Sequence, residues 1–87
     1  MVRIWAKIYR DKKIVQSFIY EREAPFRRED LFSYLTEICE RFDAPVPVLL
    51  STHERHFVQF NNLRLRASAF VESVDFDYLQ LENIAED

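Results

Sequence analysis

His53 and His56 stand three residues apart in a stretch with helical signals, and Cys39 lies in another such stretch. Two histidines at that spacing face the same way on a helix and could share one metal ion. A zinc site wants three or four ligands with a supporting outer layer. The run His53-Glu54-Arg55-His56 also departs from HExxH, in which the second histidine would occupy the place of Phe57. Two histidines beside a helix start are the expectation, and no metal. A Cys39–His pair could make a thiol nucleophile and its base, but a reactive thiol needs an electropositive, partly open setting. Cys39 is followed by Glu40 near a helix C-terminus, where both the acid and the dipole oppose thiolate formation. A structural cysteine is expected. The acids Glu72, Asp75, Asp77 and Glu82 could offer oxygen ligands to calcium, yet Leu79 breaks the pattern and no glycine makes the loop. No catalytic residue, metal or cofactor is predicted.

The constellation with most force is aromatic and basic. Val2 to Arg10 alternates, with Ile4, Ala6 and Ile8 on one side and Arg3, Trp5, Lys7 and Tyr9 on the other. Ile14 to Glu21 is β-branched and aromatic, so the two segments predict a hairpin. If Arg10-Asp11-Lys12-Lys13 closes it as a four-residue loop, Tyr9 faces Ile14, Trp5 faces Phe18 and Ile4 faces Ile19. Trp5, Tyr9, Phe18 and Tyr20 then share a face with Arg3 and Lys7, with Arg10, Lys12 and Lys13 at its rim. Flat rings among cations suit single-stranded nucleic acid, whose bases stack while its phosphates follow the charge. The same residue types concentrate at protein interfaces.

Glycine is absent, where average usage of roughly 7 per cent would supply about six. The phosphate-cradling and nucleophile-elbow motifs need that residue for close approach or positive φ, so none can be present. A type I turn avoids positive φ, and turns built without left-handed residues are expected throughout.

The chain of 87 residues is one domain's worth, read as a single unit over 1–87. Hydrophobic residues make up 48% and charged ones 31%, which excludes a disordered tail. No apolar run reaches a membrane span, the N-terminus alternates with charge from the start, and one cysteine cannot close an internal disulfide. A cytoplasmic protein is expected. The net charge of −3 conceals a basic N-terminal third and an acidic remainder. Such charges either intermix on folding or leave a basic hairpin for an anionic partner. The overall acidity argues against phosphate binding.

The element reading is α+β, a small mixed or antiparallel sheet under one long amphipathic helix. Leu31, Leu35, Ile38 and Phe42 recur at helical spacing, flanked by Phe32, Tyr34 and Cys39, so residues 30–42 form that helix. Asp43-Ala44-Pro45 ends it. Val46 to Leu50 reads as a short buried strand with Pro47 at an edge or a start. Ser51-x-x-Glu54 matches a capping box opening a second, short helix that turns Phe57 and Phe60 inward, with a strand as the competing reading. Leu63 to Ala67 alternates. Val74 to Tyr78 alternates as well, with a parity change near Asp77 before a final strand; a C-terminal helix capped by Ser73 is the rival.

The function expected from the sequence is protein–protein contact without catalysis, as a homodimer or an adaptor. Trp5, Tyr9, Phe18 and Tyr20 would carry it, with Arg3 and Lys7 as flanking polar contacts. The alternative is a single-stranded nucleic-acid binder using the same surface.

Overall fold

Alternation along the first twenty residues produces strands β1 (Val2–Arg10) and β2 (Lys13–Arg22), paired antiparallel. The computed structural model describes residues 1–85. Next comes one turn of 3-10 helix at Arg28–Asp30, running into helix α1 (Leu31–Arg41). Helix α2 (Ser51–Phe60) and strands β3 (Asn62–Arg66) and β4 (Tyr78–Asn83) complete the chain order. All pairings are antiparallel, and the sheet order is β2-β1-β4-β3. The expected α+β class is what the protein adopts, with both helices present.

The core explains the layering. Ile4, Ala6 and Ile8 of β1, Leu79 and Leu81 of β4, and Leu63 and Leu65 of β3 lie on one sheet face and are buried. Leu31, Tyr34, Leu35, Ile38 and Cys39 of α1, with Phe57 of α2, close over them. β1 and β4 take the two central positions, as their alternating apolar residues require neighbours on both sides. Truncating a core ring such as Phe57 would cost about 3–5 kcal/mol. Not every expected core residue is used: Phe32 of α1 is exposed, and so is Phe60 of α2.

The hairpin turn differs from the expected four-residue loop. Arg10 pairs with Lys13, leaving the two-residue loop Asp11-Lys12, whose φ angles are +53° and +66°. Positive φ at both central residues marks a type I′ turn, whose twist matches that of the strands it joins. The Asp11 amide donates to Asp77 Oδ2 at 2.9 Å, anchoring the turn to the segment before β4. Asp43 after α1 and Asn61 after α2 are left-handed too, at +56° and +60°. Left-handed backbone is therefore used four times without glycine, in three cases by the Asp and Asn side chains that tolerate it best.

A second correction follows along β2. Tyr9 does face Ile14, but Ile8 faces Gln16, so Val15 is an extra residue in the ladder. Beyond this bulge Trp5 faces Ile19, Ala6 faces Phe18 and Ile4 faces Tyr20. One inserted residue exchanges the two sides of the strand.

Val46 to Leu50 is not a strand. Pro45 and Pro47 lack amide donors at alternate positions, which removes one side of any ladder. The segment is held instead by the Val48 amide donating to the Ala69 carbonyl at 2.9 Å, with Pro47 buried and Val46, Val48 and Leu50 exposed. At α2 the cap is displaced by one residue: Leu50 is the N-cap, and its amide donates to His53 Nδ1 at 3.0 Å. Among the described residues after Ser73 no helix forms, and β4 begins at Tyr78.

Because Lys12 carries a side chain where φ is +66°, Lys12→Gly should raise stability by about 0.5–1 kcal/mol. Urea unfolding followed by circular dichroism measures this, and an unchanged or lowered midpoint would contradict the turn assignment.

Candidate functional site: the open face of the sheet

Both helices cover one side of the sheet, and among the described residues no helix lies over the other. Alternation decides what that outer side presents. From β1 it takes Arg3, Trp5, Lys7 and Tyr9, and from β4 Tyr78, Gln80 and Glu82. Asn62, Arg64 and Arg66 join from β3, and Ser17, Ile19 and Glu21 from β2. Four of the six expected site residues, Trp5, Tyr9, Arg3 and Lys7, are brought together here.

Phe18 and Tyr20 are not. The Val15 bulge turns them to the helix side, where both are half-buried. Phe18 meets Phe42 edge-on at 4.9 Å between centroids, under the Arg41 guanidinium at 4.7 Å. Tyr20 lies 5.9 Å from the Tyr34 ring, and its hydroxyl donates to Glu37. Burial first, then this carboxylate, pushes the Tyr20 hydroxyl up to about 12. The places the two rings were expected to hold are taken by Ser17 and by Ile19, which is exposed.

Two rows of contacts cross the open face. In the first, Lys7 Nζ lies 3.9 Å from the centroid of the Trp5 ring and 3.6 Å from Glu82 Oε1. The lysine is only 5% exposed although no helix covers it, because its stem lies flat along the sheet beside the indole. In the second row Tyr9 stacks on Tyr78 at 4.6 Å, and the Arg64 guanidinium lies 4.4 Å from the Tyr78 centroid. Tyr78 and Arg64 were not among the expected site residues. The signal for Tyr78 lay in the alternation of residues 78–82, which a helical spacing of Val74, Tyr78 and Leu81 obscured.

The basic N-terminal third does not stand alone. Arg10 reaches Asp75 at 3.6 Å, Lys7 reaches Glu82, and Asp77 accepts from the Asp11 amide. Arg3 is bridged to Glu21 at 2.7 Å. The charges that the sequence separates intermix on folding.

The other chemistry-bearing residues are placed elsewhere. His53 is occupied in capping α2, where its Nδ1 accepts from the Leu50 amide, and His56 lies 4.7 Å from the Phe60 ring. Cys39 is fully buried, and burial pushes its thiol up to about 11. The cause is desolvation, where the sequence pointed to Glu40 and the helix dipole. Among the described residues no cluster of three or more His, Cys, Asp or Glu is arranged to hold a metal ion, and no helix is long and apolar enough to cross a membrane. Comparison of the chain with protein-family models, with curated proteins and with solved structures found no match.

Two measurements follow from the shifted groups. Tyr20 ionises later in the folded protein than its ordinary value near 10, so its contribution to stability is intact below about pH 10 and is lost as pH rises toward about 12. The difference in unfolding free energy between wild type and Tyr20→Phe should therefore shrink over that window, and a constant difference would refute the assignment. Native Cys39 should react with a thiol reagent at mildly alkaline pH far more slowly than the urea-unfolded chain. Equal rates would mean that the thiol is open to solvent.

Proposed function

We propose that the protein is a non-catalytic interaction module that presents the open face of its sheet to a partner protein. The observation that carries this reading is that the outer face sets Trp5, Tyr9, Tyr78 and Ile19 side by side with no helix over them. Aromatic rings and arginine supply large, stiff contact areas, and such residues dominate the energy of protein interfaces. The pre-formed stacking of Tyr9, Tyr78 and Arg64 lowers the entropy lost when a partner immobilises them.

The electrostatics favour a protein over a nucleic acid. Arg3, Lys7 and Arg10 each already hold a carboxylate, which leaves Arg64 and Arg66 on this face to replace counterions along a phosphate backbone. A protein partner needs no such excess, and ion pairs already formed become polar rim contacts. The single-stranded nucleic-acid alternative rests on the Tyr9–Tyr78 stack and the neighbouring Arg64 and Arg66.

The experiment is affinity capture from a lysate of the source cells, with wild type and Trp5→Ala immobilised in parallel. Trp5 is half-buried and outside the core, so the variant should keep its fold by circular dichroism. A protein held by wild type should be lost or weakened more than about tenfold with Trp5→Ala. Equal retention by both would remove the open face from the function. Capture of an oligonucleotide, with affinity falling steeply as salt rises, would replace this reading with the nucleic-acid one.

A further inference from the structure

We propose that the chain self-associates through the free edge of β2, which pairs antiparallel with β2 of a second copy about a two-fold axis at Ile19. The four-stranded sheet then continues across the axis into that of its copy. This surface is the strand edge and not the open face, so the inference goes beyond the function proposed above.

Backbone parity supplies the first argument. Arg3 and Tyr9 turn their carbonyls toward the β4 side, accepting from the amides of Ile84 and Asp77 at 3.0 and 2.9 Å. In an antiparallel ladder such groups alternate, so Ile4, Ala6 and Ile8 turn theirs toward β2. Their partners Tyr20, Phe18 and Gln16 answer them. The amides and carbonyls of Ser17, Ile19 and Glu21 must therefore point away from the sheet. A long edge with free groups is a template for another strand unless proline, lysine or a bulge blunts it. Between Gln16 and Arg22 there is no proline, no lysine and no bulge.

The register is then selected by the strand itself. The Val15 bulge ends the regular part of β2 on one side and Arg22 ends it on the other, which leaves Ile19 at the midpoint. A two-fold axis there sets Ile19 against Ile19, Phe18 against Tyr20, Ser17 against Glu21 and Gln16 against Arg22. Rings meet rings, no like charges meet, and about six backbone hydrogen bonds form. Moving the axis to Ser17 draws the bulge into the ladder, whereas moving it to Glu21 brings two carboxylates together. The opposite edge, β3, is short and carries Arg64 and Arg66 on one face.

Charge complementarity in the helix layer agrees with this register. Along α1, Arg41 lies over Phe18 and Glu37 accepts from the Tyr20 hydroxyl. Because Phe18 meets Tyr20 of the second copy, Arg41 comes level with Glu37 of the second copy, and the symmetry repeats the pair. Phe18, Ile19, Tyr20, Glu37 and Arg41 line a groove of about 510 Å3 beside the strand.

Sedimentation equilibrium of the full chain, from micromolar to near-millimolar concentration, should show a monomer–dimer equilibrium. Ser17→Pro removes an outward amide and no bond to β1, so it should fold and remain monomeric where wild type dimerises. Glu37→Arg sets like charges across the axis and should weaken the dimer about tenfold or more, while Glu37→Arg with Arg41→Glu should restore it to within about threefold. Tyr78→Ala, which changes the open face on β4 with β1 between it and the β2 edge, should dimerise as wild type does, which separates this inference from the open-face reading. A wild type that is monomeric throughout would overturn the proposal. So would a folded Ser17→Pro that dimerises normally, a charge-swapped pair that fails to recover, or a dimer abolished by Tyr78→Ala alone.

Discussion

The position of one residue in the β2 ladder decides what this small molecule shows on each side. A strand of ten residues offers two sets of side chains, and β2 has aromatic candidates in one and small or aliphatic ones in the other. With Val15 left unpaired, Phe18 and Tyr20 fall beneath α1 and meet Phe42 and Tyr34. Had the ladder run without interruption from Tyr9 opposite Ile14, those two rings would have stood outside. The helix layer needs them inside, because α1 lies against the β2 side of the sheet and Ser17 and Ile19 could not fill the space beneath it. The bulge is thus a packing solution, and it re-aims side chains as bulges commonly do.

That choice leaves the outer face with fewer rings but better order. Trp5 lies against the ammonium of Lys7 on the same strand, while Tyr9 stacks on Tyr78 of β4, which in turn packs against Arg64 of β3. Two of the ion pairs, Lys7–Glu82 and Arg10–Asp75, join the first hairpin to the C-terminal acids, so charges segregated along the sequence help to assemble the sheet. The exposed pairs Arg3–Glu21 and Arg10–Asp75 are individually worth only about 0–1 kcal/mol. Their effect lies more in placement than in stability: Arg3–Glu21 joins residues directly opposite in the ladder, and Arg10–Asp75 ties the hairpin to the segment before β4.

Much of the architecture was legible because it rests on periodicity. The apolar spacing of Leu31, Leu35 and Ile38 required a helix, and the alternation of Ile4, Ala6 and Ile8 required a strand with one buried side; both are as observed. The errors came where a local rule met a competing constraint. The lack of glycine suggested turns free of positive φ, yet Asp11, Lys12, Asp43 and Asn61 adopt it because strand twist and helix termination reward that geometry. The bulge carries no sequence signature at Val15, since it is dictated by α1, which is remote in the chain. Val46 to Leu50 looked strand-like by residue type, but its prolines remove the donors that a ladder needs. In the candidate site, β1 supplied the residues that were found and β2 those that were not. A strand's own alternation is local information, and its register against a neighbour is not.

The position of β4 has a kinetic side. It is the last strand in sequence, yet it sits between β1 and β3, so the first hairpin and the α2–β3 unit touch the same sheet only through it. The β1–β2 ribbon can zip from its tight turn within microseconds, whereas closing β1 on β4 spans most of the polypeptide and carries a far larger entropic barrier. During synthesis on a ribosome, the interior of the sheet would stay unsealed, with Ile4, Ala6 and Ile8 lacking their inner neighbour, until the segment around Leu79 and Leu81 had emerged. Of the three strand pairings, that of β1 with β4 closes the longest stretch of chain and carries the largest loop-closure cost.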